Sequence, residues 1–125
     1  PDVFLRRYAW FTGPGLRLRT MQRAAVLFEG EHDFRAFAAK REYRGGTVRR
    51  VLECRVSRQR NLIRVRMRAK GFLYKMARFM TGCLVRAGKE NAQVEKIPEL
   101  LNTARFGASG FVAPAHGLRL RRIRY

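Results

Sequence analysis

Residues 62–69 alternate without a break: Ile63, Val65, Met67 and Ala69 on one side, Arg64, Arg66 and Arg68 on the other. A period of two sends successive side chains to opposite faces of a strand. This segment therefore calls for a sheet with one face in an apolar core and the other lined by guanidinium groups. Residues 48–57 read as a partner strand, joined through Arg58-Gln59-Arg60-Asn61. With those four residues as the loop, Val56 opposes Ile63, Cys54 opposes Val65 and Leu52 opposes Met67 on the core side. On the other side Glu53 opposes Arg66, and Arg55 opposes Arg64. Like charges directly opposite destabilise a hairpin unless something anionic lies over them.

After Gly71 the apolar period changes. Phe72, Leu73, Met76, Ala77, Met80, Cys83, Leu84 and Ala87 form a helical stripe that Gly88 is expected to stop, with Arg78 and Phe79 off it. Upstream, residues 1–19 read as a connector and opening strand, rich in aromatics (Phe4, Tyr8, Trp10, Phe11), with a turn at Gly13-Pro14-Gly15. Thr20 is a candidate N-cap for a short helix carrying Met21, Ala24, Ala25, Leu27 and Phe28, with Gly30 at its C-terminal cap. Asp33 is placed to cap a second short helix bearing Phe34 and Phe37. Lys40 to Gly46 reads as an exposed basic loop. Val94, Ile97, Leu100 and Leu101 mark another helix, with Pro98 expected in its first turn. A small-residue loop at 107–110 and a last strand from Leu118 to Tyr125 close the chain. The expected fold is a single α+β domain over 1–125, a mainly antiparallel sheet with helices on one face and a basic cleft-lining face opposite.

The chain carries 28 Lys and Arg against nine Asp and Glu, a formal charge of +19. A small domain usually carries a net charge of about 2 to 8, so a polyanionic partner is expected. Arg outnumbers Lys by 23 to five; guanidinium forks grip phosphate in pairs and stack on bases. RNA or DNA fits this better than a membrane, and no apolar run approaches the roughly 18 residues of a spanning helix. The candidate RNA-binding residues are Arg49, Arg50, Arg55, Arg64, Arg66, Arg68, Lys70 and Lys75. For the strand arginines the plainer alternative is a merely solubilising face. Cys54, Cys83, His32 and His116 are too few and scattered for a zinc site, and both cysteines read as buried free thiols in a reducing interior.

Four ordered segments carry a resemblance to TruA-type tRNA pseudouridine synthases. Gly30-Glu31-His32-Asp33-Phe34 with Phe37 resembles that family's GEHDFxxF segment. Gly71-Phe72-Leu73-Tyr74-Lys75-Met76-Ala77-Arg78, continued by Gly82, Leu84 and Gly88, is similar to its A-x-F-L-x-x-M-V-R and x-x-G-x-L-x-x-x-G motifs. Ala113-Pro114-Ala115-His116-Gly117-Leu118, ending at Tyr125, resembles its terminus, and Phe4 to Trp10 its connector. The resemblance implies one of two related α/β halves around a basic cleft. It also implies conversion of uridine to pseudouridine in tRNA without metal or organic cofactor, usually in homodimers. By that resemblance an Asp attacks or assists departure of the uracil, which rotates and rejoins through carbon.

The family's nucleophilic Asp lies in an R-T-D-x-G-V-H-A motif, and its active-site Tyr in an R-x-Y-x-Y motif; neither occurs in these residues. The segment therefore resembles the C-terminal half, expected to be inactive without the other. The chain opens at Pro1 with no Met or recognisable signal, as a processed start or a piece of a longer chain would. Of the site, the resemblance leaves Arg78, which pairs with the Asp, and Phe72, Leu73 and Met76, the wall beside it. Without the motif, Arg78 reads as a solvated charge on the polar side of a helix. Tyr74 and His116 read as packing or loop residues. Two functions compete: a working synthase, or a non-catalytic RNA-binding subunit of a ribosome, an organellar ribosome or its assembly intermediate. A homodimer, or a heterodimer with a related subunit, fits either. A third reading is an unrelated domain that binds RNA through the same face. The positive charge fits an organellar matrix as well as other intracellular settings.

Overall fold

A computed structural model describes residues 3–11, 15–90, 92–103, 105–110, 112–113 and 119–124, with no account of the side chains of residues 10, 11, 92 and 119–124. The elements are β1 (Phe4–Phe11), α1 (Leu18–Leu27), β2 (Gly30–Asp33), a one-turn 3-10 helix (Arg35–Phe37), β3 (Val48–Gln59), β4 (Leu62–Ala69), α2 (Met76–Lys89), α3 (Ala92–Leu100) and β5 (Arg119–Arg124). The five strands form one sheet in the order β2-β3-β4-β1-β5, and each described pairing is antiparallel. The three α-helices pack on one another, with α1 against β3. This is the α+β arrangement the periodicity predicts.

The alternation of β4 sets the layers. Ile63, Val65, Met67 and Ala69 are buried, joined by Val51, Cys54 and Val56 of β3 and Tyr8 of β1. The helices add Met21, Ala24, Ala25 and Phe28 from α1 and its cap, and Met76, Met80 and Leu84 from α2. Phe34 and Phe37 meet Phe28, the last two edge-on with ring centroids 5.0 Å apart. Asp33 does stand at the start of that cluster: its Oδ1 accepts the Arg35 N–H at 3.0 Å and the Thr47 hydroxyl at 2.8 Å. The helix that follows is only three residues long and its N-cap position is Phe34, so Asp33 ties its first N–H from one residue further out instead of capping it.

Several expected details differ. The β3–β4 loop is two residues, Arg60-Asn61, because Arg60 adopts a left-handed φ of 56° and Arg58 Nε closes on its carbonyl at 2.9 Å. The register therefore moves by two: Val56 opposes Val65, Cys54 opposes Met67, Arg55 opposes Arg66, and Ser57 opposes Arg64. A shift of two keeps every side chain on its face. A bulge between Val51 and Glu53 then leaves Leu52 outward and 37% exposed instead of in the core.

Thr20 is not a cap. It lies inside α1, buried, and the chain before the helix is anchored instead by the Arg17 N–H on the Gly88 carbonyl at 2.9 Å. Gly30 does not cap α1 either; it opens β2 at φ 110°, a value that favours glycine. Residues 72–74 precede α2, and the helix continues through Gly88 to Lys89. Gly88 is there for contact: a Cβ on it would lie 2.8 Å from Met21 Cγ and 3.2 Å from Leu16 Cδ2. Pro98 sits well inside α3, not in its first turn. Residues 13–14, 114–118 and 125, including most of the Ala113–Gly117 segment, lie outside the described residues.

Candidate nucleic-acid interface

The outer face of the sheet, away from the helices, is built by the same alternation that fills the core. Following the register across it, Arg55 of β3 opposes Arg66 of β4, Arg66 opposes Arg7 of β1, and Arg7 opposes Arg121 of β5. Four strands thus each place one arginine position in a single row perpendicular to their length. At about 4.8 Å between strands, the row spans about 14 Å. Arg64 and Arg68 lie one step to either side of Arg66 along β4. Arg7, Arg55, Arg64, Arg66, Glu53 and Ser57 line a groove of about 830 Å³ on this face.

Two carboxylates lie among these cations. Glu29 contacts Arg55 Nη1 and also accepts the Cys54 N–H at 2.9 Å, pinning the strand just past the bulge. Glu53 lies 3.5 Å from Arg66 Nε and 3.8 Å from Arg68 Nη1. Arg7 and Arg64 have no ion pair among the described residues. Ion pairs this exposed contribute only about 0–1 kcal/mol, so a phosphate can take the place of the carboxylate at little cost. The face has more guanidinium than its own acids can balance.

The other predicted RNA-binding residues are not brought to this row. Arg50 pairs with Glu31 at 3.0 Å near the β2 edge. Arg49 folds back on the preceding loop, its Nη1 donating to the carbonyls of Gly46 and Val48 at 3.0 and 2.8 Å. Lys70 is exposed just past β4, its backbone N–H on the Arg50 carbonyl at 3.0 Å. Lys75, exposed, precedes α2 with φ 62°.

A second site lies at the first turns of α2. Arg78 is half-buried, its Nε donating to the Ala113 carbonyl at 3.1 Å while the Ala113 N–H returns to the Arg78 carbonyl at 3.1 Å. No described carboxylate pairs with it. Phe72 lies under the Arg6 guanidinium, 5.3 Å from its ring centre. Leu73 and Met76 are buried, the Leu73 N–H pointing at Met76 Sδ across 3.4 Å. Tyr8 of β1 senses this corner: burial raises its phenol pKa, opposed by the charges of Arg6 and Arg78. Phe79, off the expected stripe, is nonetheless buried, near Gly107.

Both cysteines are free and buried. Burial raises both thiols, that of Cys83 to about 12 against the pull of Arg86. Among the described residues no cluster of metal ligands occurs, and no helix is long and apolar enough to cross a membrane. Sequence reasoning missed Arg7, Glu29 and the shared role of Glu53. Arg7 left little signal, since Leu5-Arg6-Arg7-Tyr8 does not alternate and aromatics surround it; the reach of Glu29 depends on the bulge.

Fold and site together define an α+β domain whose sheet has one helix-covered face and one arginine face. The family described as tRNA pseudouridine synthase matches residues 24–125, and the chain belongs to that family. It is 38% identical over 121 residues, 96% of its length, to tRNA pseudouridine synthase A of Pseudothermotoga lettingae, covering 49% of that protein. It is 40% identical over its whole length to tRNA pseudouridine synthase A of Moorella thermoacetica, covering 51% of it. The Thermotoga maritima protein of the same name is 34% identical over 123 residues, with 98% of this chain and 50% of that protein aligned. The chain thus spans about half the length of the curated relatives it matches, in keeping with its resemblance to the C-terminal half of a TruA-type synthase.

Proposed function

We propose that this chain is the RNA-gripping half of a tRNA pseudouridine synthase, and that its partner half supplies the catalytic Asp. The arginine row takes the phosphates of a folded RNA, whose charge spacing suits a line of guanidinium forks. The target uridine leaves its stack to reach the cleft. There the Asp assists cleavage of the bond from the ribose to uracil nitrogen, the base rotates, and a carbon–carbon bond replaces it. The product is an isomer of the substrate.

The observation that carries this reading is Arg78. Its backbone and Nε are both tied to Ala113, so the guanidinium is held in place, and no described acid neutralises it. Such a cation, oriented but unpaired, suits a carboxylate arriving from another segment. Phe72, Leu73 and Met76 support the turn that presents it. A second subunit completes the cleft in this reading.

The competing function is a non-catalytic RNA-binding subunit, in a ribosome or an assembly intermediate, favoured by the charge of +19. The two separate in one assay: the whole protein is incubated with uridine-containing tRNA and pseudouridine is mapped. Product supports the synthase; RNA binding without product supports the binding subunit.

A further inference from the structure

Among the described aromatic side chains one is exposed. Tyr74, just before α2, is 45% accessible, and two cations frame its ring: Arg41 Cζ at 3.8 Å and Lys75 Nζ at 5.4 Å from the centroid. The sequence reads it as a packing or loop residue, and the structure places it in the loop before α2. It stands apart from the arginine row, which is built on β1, β3, β4 and β5.

Its backbone is held on both sides. The Tyr74 N–H donates to Tyr43 Oη at 3.1 Å, the Tyr43 hydroxyl donates to the Ala39 carbonyl at 2.8 Å, and the Ala39 N–H returns to the Tyr74 carbonyl at 3.1 Å. Tyr43 is itself stacked on Phe106, ring centres 6.0 Å apart. Lys75 then turns through φ 62°, a conformation that costs a non-glycine residue about 1–2 kcal/mol. The ring is therefore mounted on a pinned loop. Arg41 and Lys75 beside it are exposed, as are Lys40, Glu42 and Arg44 of the 40–46 segment that carries Arg41.

We infer that Tyr74 and Arg41 form a stacking platform for an unpaired nucleobase, with the neighbouring cations on its phosphates. The inference rests on the RNA-binding reading and adds a second, chemically different contact to it. An aromatic face beside cations is the pairing that single-stranded nucleic acids select, because every base has a π-face and every nucleotide a charge. Among the described residues the other exposed large apolar side chains, Val26, Val48 and Leu52, lie on other elements.

The test uses the whole protein and three probes: an oligouridylate, the same strand with abasic residues, and a base-paired RNA duplex of equal length. Wild type is expected to bind the oligouridylate about tenfold more tightly than the abasic strand. Tyr74→Phe should keep that ratio. Tyr74→Ala should bring it to about one while leaving duplex affinity within about twofold. A Tyr74→Ala protein that retains the preference overturns the inference, as does a wild type that binds duplex with no preference between the strands. A wild type that binds none of the three overturns the RNA-binding reading as well.

Discussion

The Cys54 backbone N–H, just past the β3 bulge, donates to the Glu29 carboxylate at 2.9 Å, and the same carboxylate contacts Arg55. One side chain, placed between α1 and β2, thus holds an irregular strand and neutralises the first guanidinium of the arginine row. Glu29→Ala removes both contacts and should lower stability by about 1 kcal/mol, since it strands a partly buried N–H. Glu29→Gln keeps a carbonyl oxygen for Cys54 but releases the Arg55 charge. It should leave the thermal midpoint nearly unchanged and tighten RNA binding. Thermal melts and a filter-binding titration measure the two effects; weaker binding by the Gln variant would contradict this role.

Gly88 inside α2 is decided by competing magnitudes. In a free helix, Gly to Ala gains about 1 kcal/mol. Here the added methyl meets fully buried Met21 at 2.8 Å and Leu16 at 3.2 Å, and overpacking costs about 1–3 kcal/mol. Packing should win, so Gly88→Ala lowers the urea midpoint. A raised midpoint would show that the α1–α2 contact gives way easily.

The salt dependence of RNA binding reads the outer face. Each phosphate contact contributes about 0.7–0.9 to the slope of log affinity against log salt. Arg64, Arg66 and Arg68 replaced together by Gln should flatten that slope by about two, and Arg7→Gln alone by about one. Arg49→Gln, whose guanidinium is engaged with the Gly46 and Val48 carbonyls, should leave it unchanged. Equal effects from all positions would point to bulk charge rather than to the row.

The thiols give a pH signature. In the unfolded chain Cys83 ionises near its ordinary 9.0, whereas in the fold burial holds its proton until about 12. The folded state therefore keeps a proton that the unfolded state has lost, and stability falls as pH rises from about 9 toward 12. Cys54, raised by burial and by the nearby Glu29, acts in the same direction. Both thiols should resist a disulfide reagent at pH 8 in the native protein and react fully in urea. Rapid native reaction would contradict their burial.

What the sequence made legible follows periodicity. The alternation of 62–69 and the stripe of Met76, Met80, Leu84 and Ala87 place sheet and helix correctly, because burial depends on face alone. Register and boundaries depend on single backbone states and distant contacts. Arg60 at φ 56° shortens the hairpin, Lys75 at φ 62° delays α2, and Arg17 bonded to Gly88 starts α1 ahead of Thr20. Neither Arg60 nor Lys75 carries the Gly or Asn signature of a left-handed turn, and Arg17 lacks the hydroxyl of a cap. The arginine face was visible strand by strand, yet its row through Arg7 appears only once β1 is seen to pair with β4.

Arg78 carries the central claim, and one comparison tests it. The whole protein and its Arg78→Gln variant are each given uridine-containing tRNA, and pseudouridine formation and RNA affinity are measured side by side. The account predicts product from wild type, a loss of about a hundredfold or more in the variant's rate because the guanidinium holds the carboxylate at the reacting centre, and affinity within about twofold. A variant that still forms pseudouridine at the wild-type rate, or loses RNA affinity in step with activity, would contradict it.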